Sequence, residues 1–226
     1  MRTTEEWAQL YLDEVGSKYA DKIELKSKGN PNWLLKLIAP IVGLFNDRFM
    51  TGYITTLGNT IWYPEGWLER GDVKSRLSTI AHECIHIKQS SEQGNFIHGF
   101  LYLFPQSLAV FSLLAFLAIP FGLWWLLCLL FLLCLAPIPA PFRYLKELEA
   151  YRVKLIFFKY AWNSNDEMMK WAKDHVVKNM TSSDYYFCWP FKNAILKDLE
   201  NEKALEKEQY QEIVKFLERH NLLAGQ

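Results

Sequence analysis

The 226-residue chain carries no surplus of charge, since 25 Lys and Arg balance 25 Asp and Glu. Nucleic-acid binding draws on a basic surface, so no nucleic-acid partner is expected. Cysteine is sparse and shows no metal or disulfide pattern. Cys84, Cys128, Cys134 and Cys188 form no C-x-x-C pair, and two of them lie in the most apolar part of the chain. A disulfide framework or a cysteine zinc knuckle is therefore not expected, and a reducing compartment fits. An early apolar run is missing as well: Glu5, Glu6 and Asp13 interrupt the first residues. No secretory signal is expected, and synthesis without cleavage in the cytoplasm follows. The longest absence lies mid-chain, where Gly99 through Phe142 contain no Asp, Glu, Lys, Arg or His.

That charge-free stretch has the length of about two membrane crossings at roughly 20 residues each. Pro120 and Gly122 divide it into two short apolar helices, residues 104–119 and 121–135. Trp124 and Trp125 stand near the break and Tyr102 near the outer end. Such aromatics favour membrane interfaces, in keeping with nine Trp and 15% aromatic residues. A hairpin returns both of its ends to one side. Lys88 precedes it, and Arg143, Lys146, Arg152 and Lys154 follow, so the positive-inside rule places the remaining body in the cytoplasm.

What the chain does contain is His82-Glu83-Cys84-Ile85-His86, an H-E-x-x-H motif. Asp72 can cap a helix over residues 72–93, Val73, Leu77, Ile80 and Ile87 supply apolar positions at helical spacing, and the run stops before Gly94. Four residues make about one helical turn, so the two imidazoles share a face and can grip one metal ion. Zinc is the first choice: imidazole suits it, and three protein ligands leave a position for a water with pKa near about 7. Glu83 can take that water's proton as it attacks a carbonyl and return it to the leaving amine. Cys84 faces away from the metal and belongs to the core.

A third ligand is still required. After the Pro137, Pro139 and Pro141 cluster a helix opens with Arg143, and it carries Glu147 and Glu149. Two residues apart on a helix, they point about 200° from one another, so only one of them can face the metal. The hairpin brings both to the same side as His82 and His86.

His82-Glu83-x-x-His86 followed, after an apolar hairpin, by Glu147-x-x-Ala150 resembles the gluzincin metallopeptidases. The order is particularly similar to the integral-membrane family of heat-shock membrane proteases and CAAX prenyl proteases. That resemblance implies a zinc peptidase with Glu147 as third ligand, from the E-x-x-A-D pattern, and leaves Glu149 as the alternative. The chain departs from the pattern at Tyr151, where the family has Asp. Residues 56–64 with His86-Ile87-Lys88-Gln89 also resemble small uncharacterised H-E-x-x-H-x-x-Q peptidases of prokaryotes and their viruses. Metzincins are disfavoured, because Gln89 and Glu92 stand where Gly and His belong.

The other segments complete the expectation. Thr3 and Glu6 open an amphipathic helix over residues 3–19, and residues 33–45 form an apolar helix broken by Pro40 and Gly43. β-Forming residues from Tyr53 to Leu57, a Gly58-Asn59 turn and Thr60 to Tyr63 predict a hairpin. Gly58, Asn59, Thr60, Ile61, Trp62 and Tyr63 are the candidate sheet edge to which an extended peptide substrate adds. Residues 165–178, 193–204 and 206–220 read as helices of a C-terminal cap. His175, Tyr185 and Tyr186 are candidate oxyanion donors.

The expected fold is mainly α with a small β-sheet, an α+β zincin-like core interrupted by an apolar helical hairpin. Its parts are residues 1–99, the membrane hairpin 100–141, and residues 142–226 with the third-ligand helix. The expected function is a membrane-associated zinc metallopeptidase acting on a peptide or protein. The alternative is a non-catalytic membrane interaction protein with a structural or vestigial metal site.

Overall fold

A computed structural model describes residues 2–43, 46–182, 185, 188–201 and 208–223. The chain is mainly helical with one small mixed sheet, as expected. Helix α1 (Thr4–Glu14) starts where its capping box dictates: Glu6 N donates to Thr3 Oγ1 at 3.2 Å, and Thr3 N donates to Glu6 Oε2 at 2.7 Å. Strand β1 (Glu24–Ser27) follows, then α2 (Trp33–Gly43), which runs through Pro40. The polar four-residue β1 shows no strand pattern in the sequence and was not anticipated. Its partner supplies the pattern instead.

Strands β2 (Thr55–Leu57) and β3 (Thr60–Tyr63) form the expected hairpin, with Gly58 taking the turn at a φ of 58°. The sheet order is β1-β3-β2, with β1 parallel and β2 antiparallel to β3. This corrects the edge assignment. Thr60, Ile61 and Trp62 are paired on both sides and Tyr63 with β1, because β1 occupies the flank that an incoming strand would need, and Gly58 and Asn59 form the turn. The edge strand that packs on α3 is β2.

Helix α3 (Val73–Gln93) begins at Asp72, whose side chain accepts from Ser75 N at 3.1 Å, and it ends at Gly94 with a φ of 82°. Leu77, Ile80, Ile85 and Ile87 are fully buried, each contributing about 1.5–3 kcal/mol of apolar burial. Helix α4 (Asn95–Tyr102) is a separate short element between α3 and the charge-free stretch.

The two arms of that stretch are 3₁₀ rather than α-helical, Gln106–Leu117 and Leu123–Leu135, joined by α5 (Ala118–Phe121) and Gly122. They pack on one another, with Phe111 and Phe131 ring centroids 5.5 Å apart, and neither arm has a buried residue. Among the described residues no single helix is long and apolar enough to cross a membrane; α4 and residues 106–121 pass together, bent by 100°.

Helix α6 (Pro141–Ala161) opens with proline in its first turn, where the missing N–H costs nothing. It packs along α3 in the antiparallel sense: Lys74 Nζ donates to Ala161 O at 2.6 Å near one end, and Lys146 Nζ to Gln93 Oε1 at 2.6 Å near the other. Helices α7 (Asp166–Thr181), α8 (Lys192–Leu199) and α9 (Glu208–Arg219) complete the chain. Helix α9 is more than a solvated cap. Tyr210, Ile213, Phe216 and Leu217 are buried in the core beside Tyr11, whose ring meets Phe216 edge-on at 5.0 Å. The expected helices ending at Phe45 and Ala204, and the one starting at Glu206, run beyond the described residues at those ends.

Candidate metal centre

Antiparallel packing of α3 on α6 brings residues 61 and 65 positions apart into one buried cluster. His82 and His86, one turn apart on α3, face Glu147 on α6, and all three are under 9% exposed. His82 Nε2 and His86 Nε2 are 3.3 Å apart, Glu147 Oε2 lies 3.5 Å from His82 Nε2, and Glu147 Oε1 lies 3.4 Å from His86 Nε2. The 3.3 Å between the two imidazole nitrogens matches the separation of about 3.3–3.4 Å that a four-coordinate ion with bonds of about 2.0–2.1 Å sets between its ligands. Buried Glu147 Oε2 has no hydrogen-bond partner among the described residues. A buried carboxylate oxygen without a partner is costly unless a cation meets it. The group can hold a metal ion.

The packing of α6 against α3 brings Glu147, and not Glu149, into this group. Glu149 points away from the imidazoles, and its Oε2 accepts from Gln89 Nε2 at 2.9 Å. Gln89, one turn after His86, is a site residue whose role the sequence alone did not disclose. Its Nε2 also donates to Lys146 O at 3.1 Å, so both amide hydrogens are used and its Oε1 must face His86 Nδ1, 3.1 Å away. That contact requires a proton on Nδ1 and leaves Nε2 to bind a metal. The spacing H-x-x-Q was the available signal.

His82 is held differently. Its Nδ1 has no hydrogen-bond partner among the described residues, and its ring meets Tyr151 edge-on at 4.8 Å. The Tyr151 hydroxyl instead donates to the Tyr185 hydroxyl at 2.6 Å. Tyr151 therefore buttresses the first histidine by packing.

Electrostatics tie the cluster together. Burial by itself would raise the Glu147 carboxyl, but His86 and His82 hold it well below the ordinary range. Burial likewise opposes protonation of His86, yet the Glu147 carboxylate lifts that imidazole to about 9. His82 is pushed down, chiefly by burial. Glu83 is buried beside them and its Oε2 accepts from Thr56 Oγ1, on edge strand β2, at 2.8 Å. Lys154, two turns beyond Glu147 on α6, adds a positive charge attracted by Glu83 and Glu147, while burial lowers its pKa.

The remaining candidates are not gathered here. His175 is exposed on α7, stacked on Trp171 at 5.6 Å, because its side of that helix faces solvent rather than α6. The Tyr185 hydroxyl accepts from Tyr151, and Tyr186 lies outside the described residues. Surface clefts lined by Ile23 and Lys26, and by Met50 and Arg70, do not reach the metal group. No protein-family model, curated protein or solved structure matches the chain.

Proposed function

We propose that the chain is a membrane-associated zinc metallopeptidase. The observation that carries this reading is the buried His82, His86, Glu147 triangle with Glu83 beside it. Two imidazoles and one carboxylate form a donor set characteristic of catalytic zinc, which keeps one coordination position open. Bound there, zinc would supply Lewis acidity to a carbonyl and acidify a water. His82, His86 and Glu147 would hold the ion, and Gln89 keeps His86 in the tautomer that presents Nε2. Glu83 moves the proton: it accepts one from the attacking water and donates it to the departing amine. Thr56 holds Glu83 Oε2 and leaves the other carboxylate oxygen for that transfer. A peptide adding to β2 would run beside Glu83. The three ligands and Glu83 are buried, so substrate entry requires movement of the elements that cover them.

The hairpin supports membrane association. At about 2.0 Å per residue, arms of 12 and 13 residues reach about 24–26 Å, past the middle of a hydrocarbon core about 30 Å thick. Leu130 and Leu133 are 62% and 69% exposed, and Trp124 is 84% exposed. Apolar exposure on this scale marks a surface built for lipid or a partner rather than for water. Basic residues flanking the hairpin favour a cytoplasmic catalytic body.

The closed cover over the metal group favours one other reading, a non-catalytic membrane interaction protein with a structural metal site. Glu83→Gln separates the two. It should leave bound metal unchanged and lower peptide hydrolysis by about 10²–10⁴-fold. Full proteolysis by the variant would contradict the proposed mechanism.

A further inference from the structure

Tyr102 ends α4, four residues before the first arm of the hairpin. Its hydroxyl donates a hydrogen bond to Glu147 Oε1. Its ring meets His86 edge-on at 5.9 Å and stacks on His98 at 6.0 Å. The residue is anchored from the same helix that carries Glu147: Arg143 Nε donates to Tyr102 O at 3.0 Å, and the guanidinium lies 5.3 Å from the Tyr102 ring centroid. Arg143 Nη2 reaches Gln106 Oε1 at 3.5 Å, and Gln106 Nε2 donates to Ile138 O at 3.2 Å. Both roots of the hairpin are thus joined to Tyr102, whose phenol is joined to the carboxylate of the metal group.

The geometry points to Tyr102 as the positioning residue that makes Glu147 a one-oxygen ligand and couples the metal centre to the hairpin root. This rests on the metal-site reading above. The chemistry is that of a carboxylate with two unlike oxygens. Oε1 is engaged by the phenol O–H, while Oε2 is buried without a hydrogen-bond partner among the described residues. Oε2, 3.5 Å from His82 Nε2, is the oxygen left without a hydrogen bond to meet a cation. Without the phenol, both oxygens are free to bind, and coordination rises from one carboxylate oxygen to two. Outer partners of this kind are worth about 10–100-fold in metal affinity.

Cobalt(II) tests the inference without relying on activity, because its visible absorption is intense at four-coordinate sites and weak at higher coordination. The full-length chain in detergent is titrated with cobalt(II), wild type beside Tyr102→Phe, which retains the ring and its contacts with His86 and His98. About 10–100-fold weaker binding is expected in the variant, with a weaker visible band, while the far-ultraviolet circular dichroism of the metal-free protein stays that of wild type. Equal affinity and an identical spectrum in the two proteins would overturn the role of Tyr102 and leave the metal site standing. A wild type that binds no cobalt(II) would overturn both.

Discussion

Two regions of this molecule use the same apolar residue types for opposite ends. Around α3 and α6, leucines and isoleucines are removed from solvent, and their burial holds two imidazoles and a carboxylate in register. In the hairpin of residues 106–135, leucines, tryptophans and phenylalanines face outward, and the arms touch chiefly each other. The body takes its order from packing and hydrogen bonds made within the chain. The hairpin presents a surface whose apolar contacts must come from elsewhere. Apolar content thus says little about burial; the presence of interleaved charge does. Helix α3 alternates its Ile and Leu with Lys74, Arg76 and Lys88, whereas the hairpin has no charge with which to face water.

Changes within the body should have the largest consequence where they strike the metal group. Gln89→Ala removes the acceptor on His86 Nδ1 and the tie to α6 while leaving all three ligands. Metal affinity should fall about 10–100-fold by competition with a chromophoric chelator. An unchanged affinity would show that His86 is oriented by packing alone.

In the hairpin, Leu130→Lys should weaken membrane insertion by about 2.5–3.5 kcal/mol, read as partition between soluble and membrane fractions or by floatation with vesicles. Equal partition would place residue 130 outside the apolar phase. Core truncation sharpens the same contrast. Ile80→Ala, at a site with no exposure, should cost about 2–5 kcal/mol of stability. Leu130→Ala, at 62% exposure, should change stability by within about 0.5 kcal/mol in the solubilised protein. Similar costs at the two positions would mean that the hairpin is packed as the body is.

The gentlest perturbation is pH. His86 is raised to about 9 by the Glu147 carboxylate in the metal-free protein, so near neutrality the imidazole carries a proton that a metal must displace. Apparent metal affinity should therefore fall by about tenfold for each unit of pH lowered between about 8 and 6.5. Isothermal titration in two buffers of different ionisation enthalpy reports the proton released. A pH-independent affinity would mean that His86 is already neutral.

Much of this was legible in the sequence because local chemistry and pattern agree there. Asp72, the helical spacing of Leu77 and Ile80, and Gly94 delimit α3 without reference to any other element, and H-E-x-x-H then places two imidazoles on one face. The β2–β3 hairpin follows in the same way from Gly58-Asn59. What was not legible depends on partners distant in the chain. Glu24–Ser27 becomes a strand only because β3 offers a parallel edge, and that pairing removes the edge expected at Thr60–Tyr63. Helix phase excludes Glu147 and Glu149 from acting together, but only the packing of α6 against α3 selects Glu147. Tyr102 carries no sequence signal for its contact with Glu147, since it sits in an apolar run 45 residues away.

The central claim is that His82, His86 and Glu147 hold one zinc ion. Elemental analysis of detergent-purified protein tests it most directly, comparing wild type with His86→Ala, Glu147→Ala and Glu149→Ala. The account predicts about one zinc per chain in wild type and in Glu149→Ala, with the metal lost in His86→Ala and Glu147→Ala. A wild type that neither contains zinc nor takes it up on titration would contradict it.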